Sequence, residues 1–290
     1  MRIRGIIKIM TILILDATAA YVVAGPEAAL ILTAGILLYA ALGEYVDILK
    51  DGAIRMEKLT ACQRIRLQEA KASLAQDVRD TMGMDISRIR FHMLPDSNTI
   101  NAYAYGFRNI AITKVALDVT DNLTLNAVLG HEISHVVSLD AVFNRVIFAN
   151  MAVVLASMGL GCTMFAITVW IMLALPSLFS RHGCIGTMAA SGITRLLKGI
   201  TSCLQHILVA AYQAAMGVIS RGAEYRADAF SAELGYSNQL AYFLERFIAP
   251  QDDGKVTLRE LLYSTHPHPY KRIQRLQQHD QTQLQLQKIN

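Results

Sequence analysis

The stretch that decides the fold is Leu125–Val137, which reads LNAVLGHEISHVV and has a helical pattern. Within it, positions 131–135 follow the order H-E-x-x-H. Residues four apart share one face of a helix, so His131 and His135 can direct both imidazoles to one ion, and Glu132 can reach a water on that ion. Two neutral imidazoles and a carboxylate suit zinc, which would acidify the water while Glu132 accepts its proton. The competing interpretation is an ordinary helix whose histidines are solvated or hydrogen-bonded in a core.

The composition indicates a membrane protein. Of the 290 residues, 53% are hydrophobic and 17% are charged, and the mean hydropathy is +0.34. This is too apolar for an ordinary soluble enzyme and predicts membrane spans. The net charge of +4 is modest, and no dense basic run with interleaved aromatics is present, so we expect no nucleic-acid partner. The four cysteines form no C-x-x-C pair and are interpreted as small hydrophobic residues, not as a disulfide framework or a thiolate zinc site.

The apolar segment 9–43 is predicted to form a first transmembrane hairpin with its turn at Pro26. Positive residues occur at 2–8 and at 50–66, whereas the turn has none, so the open end of the hairpin is predicted to face the cytoplasm. Asp16 lies inside the first span. A polar contact within the helix bundle is preferred for it over a functional role.

Residues 146–220 predict a second transmembrane hairpin. The segments 146–180 and 199–220 carry no charge, and each is long enough to span a bilayer. The segment between them, 181–198, is mixed and contains glycine. It could be a loop, an interfacial piece or an extension of a helix.

The remaining residues, 51–145 and 221–290, are predicted to form the two parts of one catalytic domain. The first part begins with a helix from Asp51 to about Met84, and Thr124 is a plausible N-cap of the H-E-x-x-H helix. Strands are predicted at 89–93, 99–105 and 109–113. In the second part, helices are predicted at 223–234 and around 239–247, followed by a glutamine-rich tail that continues a helix.

A catalytic zinc needs a third protein ligand, and Glu224 is the best candidate. Asp228 follows one helical turn later and could accept a hydrogen bond from a ligating histidine, which would fix its tautomer. The alternative is a surface helix whose two acids face water, and the residues alone leave both possibilities open. Glu224 and His131 can share an ion only on the same side of the membrane, so the chain between them must cross an even number of times. The hairpin over 146–220 meets this condition.

Several motifs in this order resemble the HtpX-like membrane zinc metalloproteases, which are related to the C-a-a-X prenyl endoproteases. The motifs are the first hairpin, HEISH at 131–135 followed by Asp140, the second hairpin, EYRAD at 224–228, and STHP at 264–267 followed by Arg272. Upstream, NAYAYG at 101–106 is similar to the N-A-F-A-x-G strand of that family. Tyr103, Tyr105 and Asn126 depart from the family pattern, which puts substrate preference in doubt and leaves the chemistry intact.

The resemblance implies a set of roles. His131, His135 and Glu224 would bind one Zn²⁺ per chain, Glu132 would be general base and then acid, and Asp228 would support a ligand. Asn101, Ala102, Tyr103 and Ala104 would form an edge strand that pairs with an extended substrate. His266 would donate to the oxyanion, with Arg272 holding it or the nearby carboxylates. The alternative for His266 is a structural histidine before a helix that starts with proline.

We therefore expect a mainly α membrane protein with four transmembrane helices and a zincin-type α+β catalytic domain that carries a small sheet. The resemblance implies a zinc endopeptidase of a bacterial-type inner membrane, with a cytoplasmic catalytic domain and damaged or misfolded membrane proteins as substrates. One alternative is a selective protease that processes prenylated or other specific peptides. Another is an inactive zinc-binding scaffold or chaperone, against which the intact Glu132 argues. The oligomeric state stays open.

Overall fold

The computed structural model describes residues 2–95, 98–177, 183–249 and 266–289, without the side chains of 174–177, 183–185 and 283–289. Eight α-helices in these residues are α1 (Arg2–Lys50), α2 (Ala61–Met82), α3 (Lys114–Val119), α4 (Asn122–Ser138), α5 (Asp140–Ser177), α6 (Gly183–Ser231), α7 (Ser237–Phe243) and α8 (Pro269–Ile289). Two π-helical turns, Ala232–Tyr236 and Leu244–Ile248, flank α7. The strands are β1 (Ile54–Arg55), β2 (Arg90–Leu94), β3 (Ala102–Tyr105) and β4 (Asn109–Thr113).

Helix α1 is two helices joined at a reversal. Gly25 has φ +86°, a conformation that glycine adopts without penalty, and the next residue is a proline. In an unbroken helix, residues 5 and 43 would lie about 57 Å apart. Instead, Gly5 packs against the end of α4 and Gly43 against Arg145, early in α5. The chain therefore turns back at Gly25, and residues 2–50 form a helical hairpin.

In the part of the chain that the structure describes, three helices are long and apolar enough to cross a membrane, namely Arg2–Lys50, Asp140–Leu173 and Gly186–Ile248. The chain divides into two compact units, one of residues 1–146 with 217–290 and the other of residues 147–216. Within 181–198, the described part is a regular portion of α6, so it is an extension of a helix, while Arg181 lies outside the described residues. The prediction of a mainly helical membrane protein with a small sheet is confirmed.

The four strands form one sheet in the order β1-β2-β4-β3. Strand β2 is parallel to β4, whereas β1 and β3 are antiparallel to their neighbours. One face contributes Phe91, Met93, Ile110 and Ile112 to the main core, which also contains residues of α2, α4 and α7. The other face carries Leu94, Tyr105 and Ala111, which are covered by Ile48 and Ala53 from the end of the first hairpin. The sheet therefore lies between the hairpin and α4, with β3 at its edge.

The prediction of a helix from Asp51 to Met84 is wrong over its first ten residues. Gly52, at φ +63°, leads out of α1 into β1, and a 3₁₀ turn at Met56–Lys58 follows. Helix α2 starts only after Thr60, whose hydroxyl accepts the N–H of Gln63 at 3.4 Å. Two residues of β1 are too short a pattern to be recognised, because they become a strand only by pairing with β2.

Thr124 as the N-cap of α4 is also wrong. Asp121 is the N-cap, and its carboxylate accepts the N–H of Thr124 at 2.9 Å and its hydroxyl at 2.6 Å. A carboxylate suits this position because it meets free N–H groups at the positive end of the helix dipole. The three predicted strands are found, except that β3 begins at Ala102 instead of Thr99.

Candidate active site

Helix α4 carries the two histidines of the H-E-x-x-H motif on one face. Their Nε2 atoms are 3.2 Å apart, and their rings meet edge to face. The helix is buried along most of its length and ends at Leu139, which has φ +59°. His131 and His135 therefore lie on a helix that is packed into the core. Glu132 lies between them on the same helix and is 8% exposed.

Glu224 of α6 completes the group of candidate ligands. Its Oε2 lies 3.5 Å from Nε2 of His131, and its Oε1 lies 3.6 Å from Nε2 of His135. One ligand atom from each of the three residues falls within 4.8 Å of the others. Ligand atoms placed about 2.0–2.1 Å from a tetrahedral zinc are roughly 3.4 Å from one another. The three side chains therefore fit one metal ion with tetrahedral geometry.

Carboxylates hold the far side of both imidazoles. Nδ1 of His131 is 3.0 Å from Oδ1 of Asp228, and Nδ1 of His135 is 3.1 Å from Oδ2 of Asp140. A proton on each Nδ1 leaves the lone pair of each Nε2 free for a metal, which is the usual support of a ligating histidine. The sequence predicted this role for Asp228. It contained Asp140 only as a residue five positions after His135, and its contact with that ring is a finding of the structure.

Arg272 of α8 joins the two carboxylates contributed by α6. Its Nε and Nη2 donate to the two oxygens of Asp228 at 2.8 and 2.6 Å, and its Nη1 is 2.9 Å from Oε2 of Glu224. The guanidinium is 7% exposed, so these charge-assisted bonds compensate charges that are withdrawn from water. Of the two expected roles of Arg272, the structure places it on the carboxylates. On the other side, Arg226 contacts Asp140 at 3.3 Å.

His266 reaches the site from the start of the last described segment. Its Nδ1 lies 3.1 Å from Oε1 of Glu224, and its side chain is 71% exposed. The ring therefore contacts the third ligand from the solvent side of the site. The preceding residues of the STHP motif, Ser264 and Thr265, lie outside the described residues.

The buried charges shift the pKa values of the central groups. Burial alone would lower the pKa of both histidines, but hydrogen bonds to Asp228 and Glu224 raise the pKa of His131, and those to Asp140 and Glu224 raise the pKa of His135 to about 10. Burial raises the pKa of Glu132, which suits a base that works near neutral pH. Burial also opposes ionisation of Glu224, but the three histidines and Arg272 hold its pKa well below the usual value.

The edge strand β3 packs against α4. The N–H of Thr113 donates to the carbonyl of Asn101 at 3.0 Å. Since residues of an antiparallel strand alternate in direction, Ala102 and Ala104 turn their backbone groups away from β4. The Oδ1 of Asn101 already accepts the N–H of Ala102 at 2.9 Å. Tyr103, between the alanines, points to the other face and is 37% exposed.

Two histidines from one helix and a glutamate from a second helix, each supported by a further carboxylate or arginine, form a group that could hold a metal ion. The chain belongs to Peptidase family M48, whose profile matches residues 66–280. The resemblance to HtpX-like membrane metalloproteases that the motifs predict is thereby confirmed.

Among solved structures, the chain is similar to the crystal structure of S. mikatae Ste24p, with a TM-score of 0.51 and 20% sequence identity. The similarity covers 89% of this chain and 63% of that chain, so the present chain spans less than two thirds of the length of Ste24p. At 20% sequence identity, the structural similarity to Ste24p establishes the fold alone. No curated protein matches the chain with significance.

Proposed function

We propose that this protein is an integral membrane endopeptidase that uses one zinc ion. The observation that carries the proposal is the convergence of His131, His135 and Glu224, whose ligand atoms lie within 4.8 Å of one another beside the buried Glu132. A site that only stabilised the fold would fill all four zinc positions with protein ligands and would not need a glutamate base. Within the described residues, three candidate ligands and a neighbouring glutamate have the composition of a hydrolytic site.

Zinc, when bound, supplies an acidified water and polarises the carbonyl of the bond to be cleaved. Glu132 takes the proton of the attacking water and delivers it to the leaving amine, for which its raised pKa is suitable. His266 donates a hydrogen bond to the oxyanion from the solvent side of the site. Arg272 and Asp228 hold Glu224 and His131 in place throughout.

We assign the substrate to the free edge of β3, residues Asn101, Ala102, Tyr103 and Ala104. The N–H of Ala102 is bonded to Asn101, so the carbonyl of Ala102 and the backbone groups of Ala104 would pair with an extended peptide, which would join the sheet as a further strand. Main-chain hydrogen bonds carry little sequence information, so such an edge accepts many substrates. This property suits an enzyme that removes damaged or misfolded membrane proteins.

We further propose that the chain spans a bacterial-type inner membrane four times, with hairpins at 9–43 and 146–220, and that the catalytic residues of 51–145 and 221–290 face the cytoplasm. Four crossings are supported by the reversal at Gly25 and by the two apolar helices that follow α4. An even number of crossings between His131 and Glu224 is required, because these side chains meet.

The test compares wild type with Glu132→Gln, both purified in detergent without chelator. We expect both to hold about one zinc and only the wild type to cleave unfolded casein and a destabilised membrane protein. Cleavage of a prenylated peptide alone would favour the selective processing protease. If both proteins hold zinc and neither cleaves any of the three substrates, the endopeptidase proposal fails and the scaffold hypothesis replaces it.

A further inference from the structure

The turn between β3 and β4, residues 106–108, is held by a buried carboxylate from the end of α1. Glu44 is 4% exposed. Its Oε2 accepts the N–H of Phe107 at 2.9 Å, and its Oε1 accepts the side-chain amide of Asn109, the first residue of β4. Both oxygens of this buried carboxylate therefore accept hydrogen bonds from the turn and the residue after it. The donors lie 63 and 65 residues further along the chain.

The hydrogen bond to Asn109 continues into the sheet. Because the amide nitrogen of Asn109 donates to Glu44, its Oδ1 must act as an acceptor towards Nε2 of His92, 2.8 Å away. Burial lowers the pKa of His92, and the bond to the Asn109 oxygen requires a proton on Nε2. His92 donates to Asn109, and Asn109 donates to Glu44. The carboxylate of Glu44 fixes this order because it can only accept hydrogen bonds.

The contact between the turn and α1 is too close for any side chain at its centre. Gly106 has φ +59°, and a Cβ there would lie 2.6 Å from Oε2 of Glu44 and 2.9 Å from Nη1 of Arg145. Glycine is required at this position both for its conformation and for this approach. A Cβ at position 106 would therefore collide with Glu44, whose two hydrogen bonds hold the turn and the first residue of β4 against α1.

Two further acids follow Glu44 at helical spacing and extend the same contact. Asp47 pairs with Nη2 of Arg145 at 2.5 Å, and Asp51, just after the helix, accepts the hydroxyl of Tyr105 at 2.6 Å. Tyr105 is the last residue of β3. The edge strand is thus tied at one end to the first hairpin.

We propose that Glu44 is a positioning residue for the strand that receives substrate. The inference rests on the proposed function, in which a peptide pairs with β3. In the described part of the chain, β3 is paired with β4 alone, so the turn sets how β3 lies along α4. Glu44 therefore aligns the backbone of Ala102 and Ala104 with the metal site without touching substrate, and it couples the membrane hairpin to the binding of the peptide.

A pair of substitutions tests the direction of the hydrogen bonds. In Glu44→Gln, one oxygen becomes an amide donor, so the side chain cannot accept from both Phe107 and Asn109. In the double variant E44Q/N109D, the glutamine oxygen accepts from Phe107, its amide donates to the new aspartate, and the aspartate still accepts from His92. The double variant restores all three bonds and keeps one buried negative charge. Glu69→Gln, on the exposed side of α2, is the matched control.

The assay uses the full-length protein in detergent, an extended peptide derived from casein as substrate, and amide hydrogen exchange over residues 102–109. We expect Glu44→Gln to hold as much zinc as wild type and to raise KM about three- to tenfold, the effect of one lost hydrogen bond, while kcat changes less than about twofold. Exchange over 102–109 should become faster. Both values should return to those of wild type in the double variant and stay unchanged in Glu69→Gln.

Four results would overturn the inference. One is a zinc-loaded Glu44→Gln protein with the KM and exchange of wild type. A second is a folded double variant that recovers neither value. If wild type cleaves no peptide, the proposed function fails, whatever the result for Glu44. In that case, unchanged amide exchange over residues 102–109 in Glu44→Gln would also reject the positioning role. If Glu44→Gln does not fold, recovery of folding, KM and exchange in the double variant carries the inference, and its absence rejects it.

Discussion

Replacing Asp228 by asparagine should weaken zinc binding without touching a zinc ligand. The carboxylate of Asp228 accepts from Nε of Arg272 at 2.8 Å, from Nη2 of Arg272 at 2.6 Å and from Nδ1 of His131 at 3.0 Å. Asparagine keeps one oxygen and presents an amide donor in place of the other. Whichever way the amide turns, a donor faces either His131 or the guanidinium, and the negative charge is lost.

The size of the effect follows from these contacts. A hydrogen bond to a charged group contributes about 1.5–3 kcal/mol, and loss of a partner behind a ligating histidine weakens metal binding by about 10–100-fold. That range corresponds to roughly 1.4–2.7 kcal/mol, so the two values agree. We expect the Kd for zinc to rise by that factor and the cleavage of casein to return when free zinc is raised. Arg272 keeps its bond to Glu224, so the protein should still fold.

The assay is a competition between the purified protein and a chelator of known zinc affinity, with the unfolding temperature measured on the same samples. Asp118→Asn, an exposed acid of α3, is the matched control and should bind zinc as wild type does. A folded Asp228→Asn protein whose Kd for zinc stays within twofold of wild type would refute the role of Asp228 behind His131.

Three other predictions follow from single contacts. Because hydrogen bonds to carboxylates raise the pKa of His131 and His135, zinc must displace protons when it binds to these side chains. Calorimetry of zinc binding at pH 7, in buffers of different ionisation enthalpy, should therefore detect proton release. A binding heat that does not depend on the buffer would contradict this prediction. Asp121→Ala should lower the free energy of unfolding by about 0.5–2 kcal/mol in urea titrations. Since bonds to Thr124 lower the pKa of Asp121, its contribution should be complete above the ordinary pKa of 3.8 and disappear as the pH falls through the folded value. A loss of stability in the variant that stays the same from pH 7 to below the folded pKa would exclude the cap. Gly25→Ala, at φ +86° and ψ −178°, should lower the melting temperature in detergent at a cost of about 1–3 kcal/mol, and an unchanged melting temperature would reject the strained turn.

The clustering of His131, His135 and Glu224 could be predicted because each residue belongs to a local pattern. The spacing of His131 and His135 is one helical turn, and Glu224 and Asp228 repeat that spacing on a later helix. The two motifs lie far apart in the sequence, but their order resembles that of a known family, which allowed them to be assigned to one site. Asp140 stood in the same motif, but its bond to His135 depends on how α5 leaves α4, which no periodicity records.

Tertiary contacts account for what the sequence could not predict. Strand β1 exists only through pairing with β2, so its residues were assigned to a helix. Glu44 looks like an ordinary charged residue at the end of a span, because the turn that it binds lies more than 60 positions later. Threonine is a residue type that often forms an N-cap, and only the structure reveals that the hydroxyl of Thr124 donates to Asp121.

Zinc K-edge X-ray absorption on the wild-type protein tests the proposed metal centre most directly. With His131, His135 and Glu224 as ligands, the spectrum should contain two imidazole nitrogens at about 2.0–2.1 Å and oxygen from a carboxylate and water at similar distances. A sulfur scatterer at about 2.3 Å would assign the ion to the cysteines. That spectrum, or a protein that retains no zinc, would contradict the site proposed for this chain.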